Sequence, residues 1–257
     1  MPKKGKIPKN AITESGMINF YKVMDKSLLI EPKNPNYHLH RFKLPFRACV
    51  VAPSGSGKTN WLINFIHLCC QGCDGTFADI TIITRNKDEP LYNYLTTKSD
   101  QISIREGLSN LPPLDKFDKK ENHLVVLDDL VLSKDLSPVE NYYIRARKLS
   151  VSVIFISQSY YLIPKIIRNN CSYLILLKLS GDREVSMILK ESGLGLSKEE
   201  LLAIYEYSTK EKFSPLIIDK EEDKDKRFRK SFLEILNPNE FAQTFKLINF
   251  NIFTFLI

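Results

Sequence analysis

The chain has 257 residues, 43% hydrophobic and 26% charged. That composition excludes global disorder and lets a chain of this length bury a core without disulfides or structural metals. Lysine and arginine number 37 against 30 acidic residues, a net charge of +7 that permits a polyanionic partner such as nucleic acid without requiring one.

No run approaches the ~20 apolar residues of a spanning helix, so no transmembrane segment is expected. The start Met-Pro-Lys-Lys-Gly-Lys does not read as a secretory signal. Five cysteines are an odd number and make no disulfide framework, which points to a reducing, intracellular compartment.

Residues 1–47 read as an N-terminal basic arm. Lys3, Lys4, Lys6 and Lys9 precede any acidic residue, and Pro32, Pro35 and Pro45 punctuate its second half, so the arm is expected to be extended with short strands. From Ala48 the pattern changes. Ala48–Ala52, Ile80–Thr84, Leu124–Asp128, Val151–Ser157 and Tyr173–Leu179 are short apolar runs rich in β-branched residues, as in strands buried on both faces. Helical stretches lie between them at Lys58–Cys70, Val139–Lys148 and Pro164–Asn169. Such alternation predicts an α/β fold: a mostly parallel sheet with helices on both faces. Ile102 to Asn122 reads as loop. Two late helices are expected at Asp182–Lys190 and Lys198–Tyr207, and a last strand at Ser214–Asp219, closing a core over 48–220. Residues 221–257 read as a mixed-charge linker, Glu221 to Lys230, and an apolar C-terminal tail.

The strongest local signal is Ala52-Pro53-Ser54-Gly55-Ser56-Gly57-Lys58-Thr59, a Walker A pattern with Ala in place of the first Gly. Gly55 and Gly57 let the backbone turn tightly and aim N–H groups at a phosphate, and the helix beyond the loop favours an anion at its N-terminus. Ser54 to Asn60 are therefore the candidate nucleotide-binding residues. Lys58 is placed to reach the β- and γ-phosphates of ATP, and the Thr59 hydroxyl to ligate Mg²⁺.

The run Leu124-Val125-Val126-Leu127-Asp128-Asp129 is a strand ending in two acids. Asp128 fits the metal-holding acid of P-loop enzymes, and Asp129 a general base for the attacking water. Gln158, at the tip of the next strand, is the candidate contact to the γ-phosphate or the lytic water. His67, Cys69, Cys70 and Cys73 include one CxxC spacing, but no second pair accompanies it, so packed cysteines are expected rather than a zinc site. His38 and His40 are likewise not expected to be ligands.

In this order, Walker A, Asp128-Asp129, Arg145-Ala146-Arg147-Lys148, the block Val151–Tyr160 and Pro164-Lys165-Ile166-Ile167-Arg168-Asn169-Asn170 resemble the genome-packaging ATPases of the FtsK/HerA superfamily. The similar branch is that of large double-stranded DNA viruses, virophages and Polinton-like elements, over about residues 42–235. The resemblance implies a RecA-like P-loop NTPase core, a homo-oligomeric ring, and ATP-driven translocation of double-stranded DNA into a capsid. It also implies a capsid or portal-like viral protein as partner and an intracellular or virion-associated site of action. It makes Lys58 and Thr59 the phosphate and Mg²⁺ ligands, Asp128 the metal acid, Asp129 the water-activating base and Gln158 the γ-phosphate sensor. Arg168 becomes the candidate trans-acting arginine finger, with Arg145 and Arg147 behind it. Two other readings of the residues stay open: a P-loop nucleotide or small-molecule kinase, and a nucleotide-switched morphogenesis factor. Stimulation of ATP turnover by duplex DNA separates the motor from the kinase; slow turnover with nucleotide-dependent assembly marks the switch.

Overall fold

The β-branched runs become the inner strands of one sheet because their side chains point alternately into two separate apolar layers. The computed structural model describes residues 7–25, 33–72, 74–131, 133, 135–192 and 194–241. It divides into two units, Met1–Pro32 and Lys33–Ile257. In the first, short 3-10 turns at Lys9–Ala11 and Phe20–Lys22 flank a bridge between Ile12 and Ile18. Lys3, Lys4, Lys6 and Cys73 lie outside the described residues, as does the tail beyond Phe241.

In the second unit the elements run α1 (Tyr37–His40), β1 (Arg47–Val51), α2 (Lys58–Cys69), β2 (Asp79–Thr84), α3 (Pro90–Thr96), β3 (Ile102–Glu106), β4 (His123–Asp128) and α4 (Ser137–Arg145). They continue β5 (Val151–Ser157), α5 (Lys165–Asn170), β6 (Tyr173–Leu176), α6 (Asp182–Ser192), α7 (Lys198–Ser208), β7 (Leu216–Asp219), β8 (Phe228–Lys230) and β9 (Glu234–Leu236). The sheet order is β3-β2-β4-β5-β1-β6-β7-β8-β9. It is parallel from β3 to β6 and antiparallel from β6 to β9.

The expected strands and the helices between them are present. Four segments differ. The arm, expected to be extended with short strands, carries 3-10 turns and the helix α1 at Tyr37–His40. Ile102–Glu106, read as loop, is an edge strand whose burial fades along its length. Pro90–Thr96 is a short helix that buries Tyr92 and Leu95. The charge run 221–230 is linker only in its first part: Phe228 and Arg229 are buried in β8, and the sheet continues through β9 to Leu236. The pairing partner across the strand decides this, not the local charge.

Cys49, Val51, Val125, Leu127, Val153 and Phe155 face one apolar layer with α4, α5, α6 and α7. Ala48, Val50, Leu124, Val126, Ile154 and Ile156 face the other, with α2 and α3. In that second layer Trp61 and Phe65 of α2 stack with ring centroids 5.7 Å apart. The far end of α2 is tied down by Asn36, whose Nδ2 donates to the Cys69 carbonyl at 2.9 Å and the Gln71 carbonyl at 3.1 Å.

His40 closes α1. It is fully buried, its ring meets Phe65 edge-on at 5.6 Å, and its Nδ1 accepts the Phe42 N–H at 3.0 Å. Burial, with the charges of Arg229 and His38, lowers its pKa from 6.5 to about 4. The unfolded chain therefore takes up this proton at higher pH than the folded one. Stability from the neutral ring is present at pH 7 and lost as pH falls from 6.5 toward 4, by at most about 3 kcal/mol. We expect the stability advantage of the wild type over His40→Gln, measured by denaturant unfolding, to shrink between pH 7 and pH 4.5. An advantage independent of pH would show that His40 does not titrate this way.

Candidate active site

The site lies where the parallel strands end. β1 leads into the phosphate loop, and Gly55 and Gly57 take φ of 75° and 100°, left-handed values that suit glycine. Gly57 is the N-cap of α2 and offers its first turn no side-chain partner, so that turn presents backbone donors to an anion. Ser56 Oγ donates to the Pro53 carbonyl at 2.6 Å and pins the loop. Lys58 folds back so that Nζ donates to the carbonyls of Ala52 and Pro53 at 3.2 and 3.3 Å.

β4 delivers the two acids in different states. Asp128 is buried, 8% exposed, and its Oδ2 accepts the Tyr92 hydroxyl at 2.7 Å. Burial holds its pKa above the usual carboxylate range, aided by the charges of Glu89 and Asp129 and opposed by the Tyr92 bond. Asp129 comes next at φ 53°, which turns it out of the strand line and leaves it half-buried. Gln158, exposed past the end of β5, donates from Nε2 to both Asp129 oxygens, at 3.3 and 3.1 Å. The segment after Gln158 is anchored by Glu184 of α6, which accepts from the Ser159 hydroxyl and from the Tyr160 N–H at 2.9 Å.

One cavity of about 560 Å³ gathers Ser54, Gly55, Gly57, Lys58, Thr59, Asn60, Asp128, Asp129 and Gln158. The structure thus brings these sequence-derived candidates together; Ser56 lies beside them in the loop. Thr59 and Asp128 offer oxygen donors only, a set that suits Mg²⁺. The cavity also takes in residues the sequence did not single out: Thr84 at the end of β2 with Arg85 and Asn86 beyond it, Glu89, and Phe213 before β7. The first three had a readable signal, since ligands of open α/β sheets bind off the carboxyl ends of parallel strands. Tyr92, Glu184 and Phe213 act across the fold and had none.

Arg168 stands elsewhere. Its guanidinium is buried against α6, with Nη1 3.1 Å from Glu191 Oε2 and Cζ 4.8 Å from the centre of the Tyr160 ring. It does not line the cavity. A trans finger needs a guanidinium that a neighbour can receive, and here α5 turns it into the apolar layer. In the single chain Arg168 is held by its pair with Glu191, so acting as a finger would require that pair to open. Arg145 and Arg147 are exposed, Arg147 lying 3.5 Å from Glu221.

Fold and constellation together define a P-loop ATPase. Residues 37–228 match the family model described as Poxvirus A32 protein, and the chain belongs to that family. Among solved structures it is similar to the genome packaging NTPase B204 from Sulfolobus turreted icosahedral virus 2 in complex with AMP, at TM-score 0.53 and 15% identity, over 74% of this chain and 98% of that one. B204 from Sulfolobus turreted icosahedral virus, titled the DNA-packaging ATPase, is similar at TM-score 0.50 and 16% identity, over 73% and 94%. Identities this low speak to the fold alone. No curated protein matches the sequence.

Two outcomes are expected. Tyr92→Phe leaves a buried carboxylate short of one donor, at a cost of about 1–3 kcal/mol, and frees Asp128 to rotate. The Mg²⁺-dependent gain in nucleotide affinity should fall while metal-free nucleotide binding holds. Equal loss with and without Mg²⁺ would show that Tyr92 supports the cavity generally rather than Asp128. Arg168→Met should lower the thermal midpoint by breaking a largely buried ion pair, worth about 2–3 kcal/mol after allowance for the part-exposed Glu191. An unchanged midpoint with abolished turnover would restore the finger.

Proposed function

We propose that this protein is an ATP-driven motor that translocates double-stranded DNA and packages a viral genome. The observation that carries the reading is the convergence of the phosphate loop, the Asp128-Asp129 pair and Gln158 on one cavity, in a chain of the Poxvirus A32 protein family. The similar B204 structures, of a genome packaging NTPase and a DNA-packaging ATPase, support it.

In this reading the loop amides and the first turn of α2 bind the phosphates of ATP. Lys58 exchanges the carbonyls of Ala52 and Pro53 for the β- and γ-phosphates. Mg²⁺, held by Thr59 and Asp128, would supply charge neutralisation on the phosphate oxygens. Asp129 takes the proton of the attacking water, and Gln158, already bonded to it, reports on the γ-phosphate. An arginine from a neighbouring subunit of a homo-oligomeric ring completes the charge, a contribution of 10³–10⁵ in rate in other P-loop enzymes; exposed Arg145 and Arg147 are the candidates. The excess of basic residues suits a DNA track, and a capsid or portal-like protein is the docking partner, inside the host cell or on the virion. No helix among the described residues is long and apolar enough to cross a membrane.

The test is ATP turnover with and without long duplex DNA. Duplex DNA should raise it severalfold in the wild type, and Lys58→Ala should stay at background in both conditions while retaining its fold. Turnover indifferent to DNA, with phosphate passed to a small acceptor, would replace the motor by a kinase.

A further inference from the structure

We propose that Phe213 is the nucleobase platform of this site: the base of the bound nucleotide stacks on its ring. The inference rests on the nucleotide reading of the phosphate loop and adds the residue that would hold the other end of the ligand.

Phe213 stands in the loop between α7 and β7, far from the phosphate loop in sequence, yet its ring is pressed against it. A methyl group on Gly57 would lie 2.3 Å from Phe213 Cδ1, so a side chain there would have to push the ring aside. The residue is nonetheless 42% exposed. Its φ is 69°, in the left-handed region, where a bulky residue costs about 1–3 kcal/mol and persists where the surroundings impose it. Such outliers gather at ligand sites.

Phe213 also lines more than one hollow. The first is the phosphate cavity with Lys58, Thr59 and Asp128. The second is an open hollow of about 700 Å³ that includes Ser56, Lys178, Tyr207 and Lys210, and Phe213 lines a further one with Trp61 and Phe232. A nucleotide whose phosphates lie in the first can bring its base onto the ring as it extends toward the second. The Lys212 ammonium now lies 4.9 Å from the ring centre. As the end of a flexible, exposed side chain it can yield that place to a base without disturbing any packing. Stacking of this kind is tolerant of base identity, because every base has a π face. The site should therefore accept nucleotides with little regard to the identity of the base.

The experiment measures binding of ATP and of inorganic tripolyphosphate, each with Mg²⁺, to the full chain. Phe213→Ala should weaken ATP by about 5- to 150-fold, the equivalent of losing one base–aromatic stack, and leave tripolyphosphate unchanged. Phe213→Tyr should keep both. Lys58→Ala should lose both ligands, the signature of the phosphate loop itself. Should Phe213→Ala fail to fold, Phe213→Leu fills the same space without a π face and should show the same selective loss. ATP affinity unchanged in a folded variant, or ATP and tripolyphosphate weakened alike, would overturn the platform and leave Phe213 as a cover of the loop. A wild type that binds neither ligand would overturn the nucleotide reading and this inference with it.

Discussion

The site depends on the in-register parallel pairing of β2, β4, β5 and β1. Thr84 lies opposite Asp128, Asp128 opposite Ile156, and Val51 opposite Ser157. Four strands therefore stop at one level, and the segments leaving their ends emerge within reach of one another. A slip of one residue would turn every side chain of a strand to the opposite face. Here that would carry Cys49 and Val51 out of one apolar layer and into the other, so the two filled layers enforce the alignment that the chemistry uses.

Within that frame the two adjacent acids are made unequal by burial. Asp128 is held in the interior by the Tyr92 hydroxyl, which fixes its rotation. Asp129 escapes the strand direction through a left-handed backbone and meets Gln158. Neither partner is local: Tyr92 comes from the helix after β2, and the Gln158 turn is braced by Glu184 from α6. The second tier of the site is thus assembled from both helical layers, one supplying the tyrosine that holds Asp128 and the other the brace behind Gln158.

Much of this was legible in the sequence because it is written in short-range pattern. β1, β4 and β5 are buried on both faces, so each reads as an unbroken apolar run, and the Gly-rich loop and paired acids sit at their ends. Edge elements were harder. In Ile102–Glu106 only the early residues are covered, so the run looks like loop, and Phe228 and Arg229 hide behind a stretch of alternating charge. The surroundings of Arg168 were hidden for the opposite reason: an arginine shortly past β5 looks available, and only the packing of α5 on α6 shows its charge matched by Glu191 within the chain. Phe213 belongs to a loop with no motif at all, and its meeting with Gly57 is a product of the closed fold.

The tethering of α2 has a mechanical consequence. The helix begins at the phosphate loop, and its twelve residues make a rod about 18 Å long. Phe42 and Phe46 packed on the Phe65 ring hold its flank, and Asn36 grips the carbonyls at its far end. A rod fixed in this way has little slack, because packed interiors shift between discrete arrangements rather than deform continuously. A tilt imposed on Lys58 is delivered almost undiminished to Asn36 and α1, at the opposite rim of the sheet.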